Sequence, residues 1–193
     1  MKIESKDKTD KLIILSRDGV INEYRPIIAE PDDWVPIEGS LDALAKLNRA
    51  GFRVIVATNQ PNVMQGLITV SQLNAVNQKM DDEIIAAGGQ LEAIFFCPHT
   101  AQAHCNCRKP SPTMLNDIAD RFNVQLKDVV YVGDTLNDML AAHAAGCQPY
   151  LVLTGQGGQT YADDIDIPKE CHVRVDLAAV VRELVGLGRM LGK

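Results

Sequence analysis

The chain of 193 residues is 46% hydrophobic and 23% charged, so it is long and apolar enough to bury a full core as one globular domain over residues 1–193. Its formal net charge of −6 argues against a surface that binds nucleic acid or an anionic membrane. No run approaches the roughly 18 consecutive apolar residues of a membrane span, and the charged, polar residues 1–11 lack the apolar core of a signal peptide, which predicts a cytoplasmic protein.

Solidly apolar runs predict the strands of the fold, because such runs suit strands that are buried on both faces. The runs cover residues 12–15, 54–57, 93–96, 129–132 and 150–153, and a short sixth strand is expected at 172–175. Between these runs the apolar residues recur at helical spacing. Helices are predicted from Ser40 to Gly51, from Ser71 to Gly88, from Ser111-Pro112 to Phe122, over residues 135–145, and from Asp176 onward.

This alternation of strands and helices predicts a Rossmann-like α/β fold, in which a parallel sheet carries helices on both faces. The residues between the third strand and the Ser111 helix are too few for more than a minimal cap. Residues 155–166 are either a rim loop over the site or a solvated connection, and the second interpretation is favoured. Trp34 is interpreted as a packing anchor, and His143 as a histidine that packs on the apolar face of its helix.

Polar side chains follow the predicted strands at the edge where open α/β sheets place their chemistry. These are Ser16-Arg17-Asp18, Thr58-Asn59-Gln60, Arg108-Lys109, and Gly133-Asp134 with Asp138. Carboxylates at one edge can hold Mg²⁺, whereas a lysine, a threonine hydroxyl and helix N-termini can hold phosphate. Together they are the groups that phosphoryl transfer needs.

Three of the five cysteines lie between residues 97 and 107, which favours metal binding over disulfides in a reducing compartment. Cys97, His99, Cys105 and Cys107 form a set of three thiols and one imidazole, which is typical of structural zinc. His104 is a competing ligand, but its position directly before Cys105 makes it less suitable than His99. The sequence therefore predicts a short zinc-binding loop over residues 97–107.

Taken together, the motifs resemble the phosphatases of the haloacid dehalogenase superfamily. Within it they resemble the phosphatases of D-glycero-D-manno-heptose 1,7-bisphosphate and of histidinol phosphate. The resemblance spans residues 12–154 and rests on the following motifs: Arg17-Asp18-Gly19-Val20-Ile21-Asn22, Thr58-Asn59-Gln60, Cys97-Pro98-His99, Cys105-Asn106-Cys107-Arg108-Lys109-Pro110 and Val132-Gly133-Asp134.

The resemblance implies a role for each matching residue. Asp18 would be the general acid and base and would also lie at the Mg²⁺ site, where Asp134 would bind the ion and Asp138 would support it. Thr58 and Lys109 would hold the transferring phosphoryl group. Arg108 would contact the rest of the substrate, and Asn59 and Gln60 would line the same mouth.

The family's nucleophile is an aspartate, and the matching residue here is Ser16. A serine hydroxyl is neutral near pH 7, is a poorer Mg²⁺ ligand than a carboxylate, and forms a phosphate ester that lacks the lability of an acyl phosphate. The loop at residues 61–66 also departs from the family pattern, because it lacks the flexible glycine of the Ser-Gly that usually follows Thr-Asn-Gln and the arginine that usually stands shortly before the glycine at Gly66. Turnover is therefore expected to be impaired.

Two functions are compatible with these residues. The first is a Mg²⁺-dependent phosphatase of sugar phosphate monoesters, of the heptose bisphosphate type, weak or inactive because of Ser16; a histidinol-phosphate phosphatase is an alternative substrate class. The second is a catalytically inactive scaffold that binds a phosphorylated sugar or a protein partner. Under each hypothesis the chain is expected to be a monomer that binds neither nucleic acid nor membrane.

Overall fold

Six parallel strands form one sheet in the computed structural model, which describes residues 11–163 and 166–191. The strands are β1 (Lys11–Leu15), β2 (Phe52–Asn59), β3 (Ala93–Cys97), β4 (Val130–Gly133), β5 (Gln148–Val152) and β6 (His172–Arg174). Their order across the sheet is β3-β2-β1-β4-β5-β6, so β1 lies at the centre. The Rossmann-like fold is confirmed. The opening segment, from which a cytoplasmic location is predicted, lies at residues 1–10, outside the described part of the chain.

Six α-helices connect or follow these strands in the described chain. They are α1 (Ser40–Arg49), α2 (Val70–Ala86), α3 (Thr113–Phe122), α4 (Leu136–Ala145), α5 (Gly157–Asp163) and α6 (Leu177–Leu191). None of the helices in the described residues combines the length and the apolar character that a bilayer crossing needs.

Successive side chains of each strand point to opposite faces of the sheet, and this alternation divides the core in two. On β1, Ile13 and Leu15 pack in one cluster with buried residues of α1, α2 and α6. Leu12 and Ile14 pack in the other cluster with α3 and α4. Helices therefore cover both faces, and the central strand is buried on each side, as its apolar run predicts.

The predicted helix starts are wrong by one or two residues, because none of the predicted capping residues is the N-cap. Helix α2 begins after Thr69, whose hydroxyl accepts the amide of Gln72 in a capping box, and Ser71 lies inside the first turn. Helix α3 begins at Thr113, after Ser111 and Pro112. Ser40 is the first residue of α1, and its hydroxyl donates to the carbonyl of Ile21 at 2.7 Å.

Two further interpretations are wrong, and one is confirmed. His143 is exposed and pairs with Glu170, because it lies on the solvent side of α4. Residues 155–163 are a segment at the rim of the site, not merely a connection, because they form a turn and helix α5 and Gln156 contacts Asp134. Trp34 is a packing anchor with 3% exposure, and its indole nitrogen has no hydrogen-bond partner among the described residues.

Candidate active site

A cavity of about 280 Å³ opens at the carboxyl edge of the sheet, where β1, β2 and β4 end. The structure brings together at this cavity all the residues for which a phosphate, magnesium or substrate role is predicted. They are Ser16, Asp18, Thr58, Asn59, Gln60, Arg108, Lys109, Asp134 and Asp138. Residues separated by more than a hundred positions thus share one hollow.

Lys109 and Asp138 form a buried ion pair at the base of the cavity. The ammonium nitrogen lies 2.5 Å from Oδ1 of Asp138, and both side chains are at most 3% exposed. The same ammonium donates to the carbonyl of Ala57 and to the hydroxyl of Tyr131, each at 2.7 Å. These three partners use the three N–H donors of a lysine, so Lys109 is held as a cation.

Asp138 is fully occupied by contacts within the protein. Its Oδ1 accepts from Lys109 and from the Tyr131 hydroxyl, and its Oδ2 accepts the amide and hydroxyl of Thr135 at the start of α4. These hydrogen bonds and the neighbouring ammonium lower the pKa of Asp138 although burial acts in the opposite direction and is the largest single influence. Asp138 is thus an anion that supports its neighbours.

Asn59 fixes the backbone of Lys109 against the end of β2. Its amide nitrogen donates to the Lys109 carbonyl at 3.1 Å, and its amide oxygen accepts the Lys109 N–H at 3.2 Å. Because both ends of the amide are engaged, Asn59 positions Lys109, although it also lines the cavity. The adjacent Gln60 instead donates to Asp18 at 2.7 Å and to the Thr58 hydroxyl at 3.0 Å.

Three side chains orient the carboxylate of Asp18. Arg17, which is 1% exposed, donates to both of its oxygens, and Asn22 and Gln60 donate to one oxygen each. Arg17 is itself held by the amide oxygen of Asn77 on α2 at 3.0 Å. The carboxylate of Asp18 remains 21% exposed, so it is directed toward the cavity and not sealed in the core.

Asp134 lies between the loops that follow β1 and β5. Its Oδ2 accepts the amide N–H of Gln156 at 2.9 Å, and the hydroxyl of Thr160 donates to its backbone carbonyl at 2.9 Å. A Cβ at Gly19 would lie 2.0 Å from Oδ2 of Asp134, and one at Gly155 would lie 2.4 Å from it. Both positions also have positive φ angles, so the close approach requires glycine.

Burial raises the pKa of Asp134 to about 7, and the negative charge of Asp138 acts in the same direction. The hydrogen bond from Gln156 opposes this shift without cancelling it. Asp134 is therefore a carboxylate that lacks a strong positive partner within the protein. A divalent cation at this position would supply one.

Ser16 is buried at the end of β1, with 6% exposure, and its Oγ lies 3.3 Å from the ammonium of Lys109. This is the longest of the four contacts of that ammonium, since the other partners are at 2.5–2.7 Å. A lysine held as a cation by Asp138 cannot take the hydroxyl proton. Ser16 therefore has no general base in Lys109, and it is not an activated nucleophile of the Ser-Lys kind.

The second group of predicted ligands lies in the loop between β3 and α3. The Sγ atoms of Cys97, Cys105 and Cys107 are 3.2–3.7 Å apart, and Nδ1 of His99 lies 3.2 Å from the Sγ of Cys107. Four ligand atoms around a tetrahedral zinc ion, with Zn–S bonds of about 2.3 Å, stand about 3.8 Å apart. The spacing fits one metal ion, and His104 is outside this group.

This loop leads directly into the cavity. Cys107 precedes Arg108 and Lys109, and the Arg108 guanidinium donates to the carbonyl of His99 at 3.1 Å. Closing four ligands on one ion would order a stretch that has only one short 3-10 turn of its own, at residues 101–103. The loop therefore connects a candidate metal centre to the two cations that follow it.

Sequence reasoning missed three contributors to the site. Arg17 directly precedes Asp18, and an arginine next to a predicted catalytic carboxylate is a signal from which its role could have been inferred. Tyr131 lies in an apolar strand, so its position predicts only a core residue. The apolar pattern does not reveal that its hydroxyl bonds to Lys109 and Asp138. Gln156 contributes its backbone N–H, which the side-chain pattern does not reveal.

We expect Lys109→Met to lower the free energy of unfolding by about 3–5 kcal/mol, because it leaves the Asp138 carboxylate buried without a cation. Urea denaturation followed by circular dichroism measures this. Adding Asp138→Asn to that variant should recover part of the loss.

The matched control is Lys46→Met, which breaks an exposed pair with Asp42 on α1. An exposed pair contributes little, so its effect should stay within about 0.5 kcal/mol. A loss below about 1 kcal/mol for Lys109→Met, or equal losses for the two lysine variants, would contradict the importance given to the buried pair.

Elemental analysis of the purified protein should find about one zinc ion per chain. Cys107→Ser should reduce the bound zinc at least about tenfold, because it removes one of four ligands. Cys171→Ser, which changes a thiol outside the cluster, is the control and should retain the metal. A zinc-free protein whose 97–107 loop resists proteolysis as well as the metal-loaded protein does would count against the site.

The profile of the haloacid dehalogenase-like hydrolases matches residues 3–146. The chain is 46% identical over 176 residues to the D-glycero-beta-D-manno-heptose-1,7-bisphosphate 7-phosphatase of Bordetella bronchiseptica, covering 91% of this chain and 98% of that protein. It is 49% identical over 151 residues to the Neisseria meningitidis enzyme of the same name, covering 78% and 81%.

The crystal structure of the D,D-heptose 1,7-bisphosphate phosphatase of B. bronchiseptica, complexed with magnesium and phosphate, superimposes with a TM-score of 0.89 at 45% identity, covering 92% of this chain and 99% of that one. The corresponding enzyme of Burkholderia thailandensis gives a TM-score of 0.74 at 40% identity, covering 91% and 99%. From the matched profile, the identity with these relatives and the shared architecture, the chain belongs to the haloacid dehalogenase-like hydrolases.

Proposed function

We propose that the chain binds D-glycero-D-manno-heptose 1,7-bisphosphate at the carboxyl edge of its sheet and hydrolyses it slowly, as a phosphatase weakened at its nucleophile position. The observation that supports this most directly is the meeting of Thr58, Lys109, Asp18 and Asp134 in one cavity. The identity of 46–49% with heptose bisphosphate phosphatases supports the choice of substrate. We expect the protein to act as a monomer in the cytoplasm and as one domain over residues 1–193.

The residues of the cavity divide the work of binding and reaction. The Thr58 hydroxyl holds the phosphoryl oxygens by hydrogen bonding, the positive charge of the Lys109 ammonium attracts them, and Arg108 contacts the rest of the substrate. Asp18, held by Arg17, Asn22 and Gln60, gives its proton to the leaving oxygen and then accepts one from water. Because Asp18 is fixed by three donors, its carboxylate needs little rearrangement as the reaction proceeds.

The donor set also fits a magnesium ion. Mg²⁺ prefers oxygen ligands, and Asp134 would supply a carboxylate to it, with Asp18 beside the ion in the same cavity. The raised pKa of Asp134, about 7, marks a buried carboxylate whose charge a cation would balance. When bound, the ion would neutralise the charge of the phosphoryl oxygens. Asp138 would support this site through Thr135 and Lys109 without direct contact.

Ser16 is the reason for slow turnover. Attack on phosphorus requires an electron-rich oxygen, and the Ser16 hydroxyl accepts a hydrogen bond from a cation, Lys109, and donates to no base among the described residues. Any phosphoserine formed there would be a stable ester, since serine is a much poorer leaving group than a carboxylate. The binding groups are retained while the group that attacks is replaced.

A scaffold without turnover is the second candidate, and the same observation at Ser16 favours it. Such a protein would hold a phosphorylated sugar, or a protein partner, through Lys109, Thr58 and Arg108. Histidinol phosphate remains the alternative substrate. A phosphate-release assay with heptose bisphosphate and histidinol phosphate distinguishes the three possibilities, since only an enzyme gives steady release above the uncatalysed rate.

Replacing Ser16 with aspartate should raise phosphate release from heptose 1,7-bisphosphate at least about a hundredfold, equivalent to about 2.7 kcal/mol in the activation barrier. The reason is that aspartate restores both the attacking oxygen and a carboxylate near the metal. Ser16→Asn is the matched control, because it has the shape of aspartate without its charge, and it should give no gain.

Equal and rapid turnover by the unchanged chain and by Ser16→Asp would contradict this account of Ser16. If Ser16→Asp stays inactive while heptose bisphosphate still binds, the scaffold function is favoured.

Magnesium affinity should increase about tenfold per pH unit up to pH 7 and then level off, because the proton on Asp134 must leave before the ion binds. The free energy of unfolding of the metal-free protein should change in the opposite direction. Because the pKa of Asp134 is raised by folding, its contribution to stability is present at low pH and is lost as the pH rises toward 7. Titration calorimetry between pH 5.5 and 8.5 measures the affinity. Asp134→Asn should bind weakly at every pH, and a flat profile for the unchanged protein would contradict the role of Asp134.

A further inference from the structure

The cavity at the carboxyl edge is lined by four cations, Arg17, Arg25, Arg108 and Lys109, and they are not equivalent. Arg17 is buried and donates to Asp18 and Asn77. Lys109 donates to Asp138, Ala57 and Tyr131. Because both are engaged within the protein, neither is suited to bind a distant part of a ligand.

Arg25 differs from both of these, because its guanidinium is lightly engaged. Its one ion pair within 4 Å in the described chain is with Glu23, at 3.7 Å, which is beyond hydrogen-bond distance. The charge of Arg25 also acts on Asp33, but no hydrogen bond joins the two side chains. The Arg25 side chain is 41% exposed, yet it lines the cavity wall. Arg108 resembles it, since one guanidinium nitrogen donates to the His99 carbonyl and the others face no partner in the described chain.

The loop that carries Arg25 is held in place beside the cavity. Asn62 donates to the carbonyl of Pro26, the next residue, at 2.8 Å. At the base of the loop the amide of Glu23 donates to the Val35 carbonyl at 2.9 Å. Ile28 is buried with 4% exposure and anchors the middle. Arg25 thus projects from a fixed backbone, not from a free tip.

The loop after β2, which contacts the Arg25 loop through Asn62, provides no cation of its own. Residues 61–69 read Pro-Asn-Val-Met-Gln-Gly-Leu-Ile-Thr and carry no charge. Of these two loops, the one after β1 provides an exposed cation to the cavity, Arg25, whereas Arg108 comes from the zinc loop. A planar guanidinium suits a phosphate group, which it can contact with two parallel N–H donors.

We propose that Arg25 is a specificity-determining residue that binds, together with Arg108, the phosphate of the substrate that is not cleaved. The proposal rests on the proposed function, because it takes the proximal phosphate to lie at Thr58 and Lys109. Its consequence is a preference for sugar bisphosphates over the matching monophosphates. The contribution of an exposed cation is limited by water and salt, so we expect about a tenfold effect.

Titration calorimetry with Mg²⁺ present tests this with two ligands, D-glycero-D-manno-heptose 1,7-bisphosphate and heptose 7-phosphate. The two share the proximal 7-phosphate, so their affinity ratio reports on the distal group. Arg25→Gln should weaken the bisphosphate about tenfold and leave heptose 7-phosphate within about twofold. Arg25→Lys should fall between, because it keeps the charge and loses the two-donor geometry.

Arg121→Gln is the control, because it removes the same charge from an exposed site near the end of α3, and it should leave both affinities unchanged. If the unchanged chain hydrolyses the bisphosphate during the titration, the same comparison is made with the KM values. Equal weakening of both ligands by Arg25→Gln, or no weakening of either, overturns the role of Arg25 alone. Failure of the unchanged chain to bind either ligand overturns the proposed function, and this inference with it.

Discussion

A lysine ammonium and an aspartate carboxylate are each costly to bury alone, and Lys109 and Asp138 are buried together at the base of the cavity. The pair is completed by Tyr131, Ala57 and Thr135, so that every polar atom of both side chains has a partner. This arrangement fixes the position and the charge of the ammonium. The remaining groups of the cavity are arranged around that fixed cation.

The substitution at Ser16 acts on this arrangement in a specific way. A carboxylate at that position would be a second anion beside Lys109, whereas the hydroxyl leaves the ammonium balanced by Asp138 alone. The cavity is therefore less negative than it would be with aspartate, which favours an incoming phosphate and disfavours a divalent cation. Binding of phosphate and its hydrolysis make different demands on the same position, because hydrolysis needs an attacking carboxylate that binding does not.

Much of the fold and the grouping of the site residues could be predicted from the sequence, because buried strands have an unmistakable apolar pattern and their carboxyl ends meet at one edge. The cysteine spacing likewise predicted which side chains come together. The failures have a common cause: they concern contacts that a one-dimensional pattern does not record. His143 fits an apolar helix face yet lies toward solvent. Helix α2 is capped by Thr69 and not by Ser71, and α3 begins only after Ser111 and Pro112. Gln156 contacts Asp134 through its backbone N–H.

The tight packing of Gly19, Asp134 and Gly155 has an evolutionary consequence. The Cα of Gly19 and the Oδ2 of Asp134 each lie 2.4 Å from where a Cβ on Gly155 would be, so the segments after β1, β4 and β5 form one interlocked unit that tolerates no added bulk. The outer wall of the cavity comes from other loops, through Tyr24, Arg25, Pro26, Pro61 and Asn62. Ligand preference can therefore diversify across lineages by exchange of that wall, while the carboxylates beneath it stay unchanged.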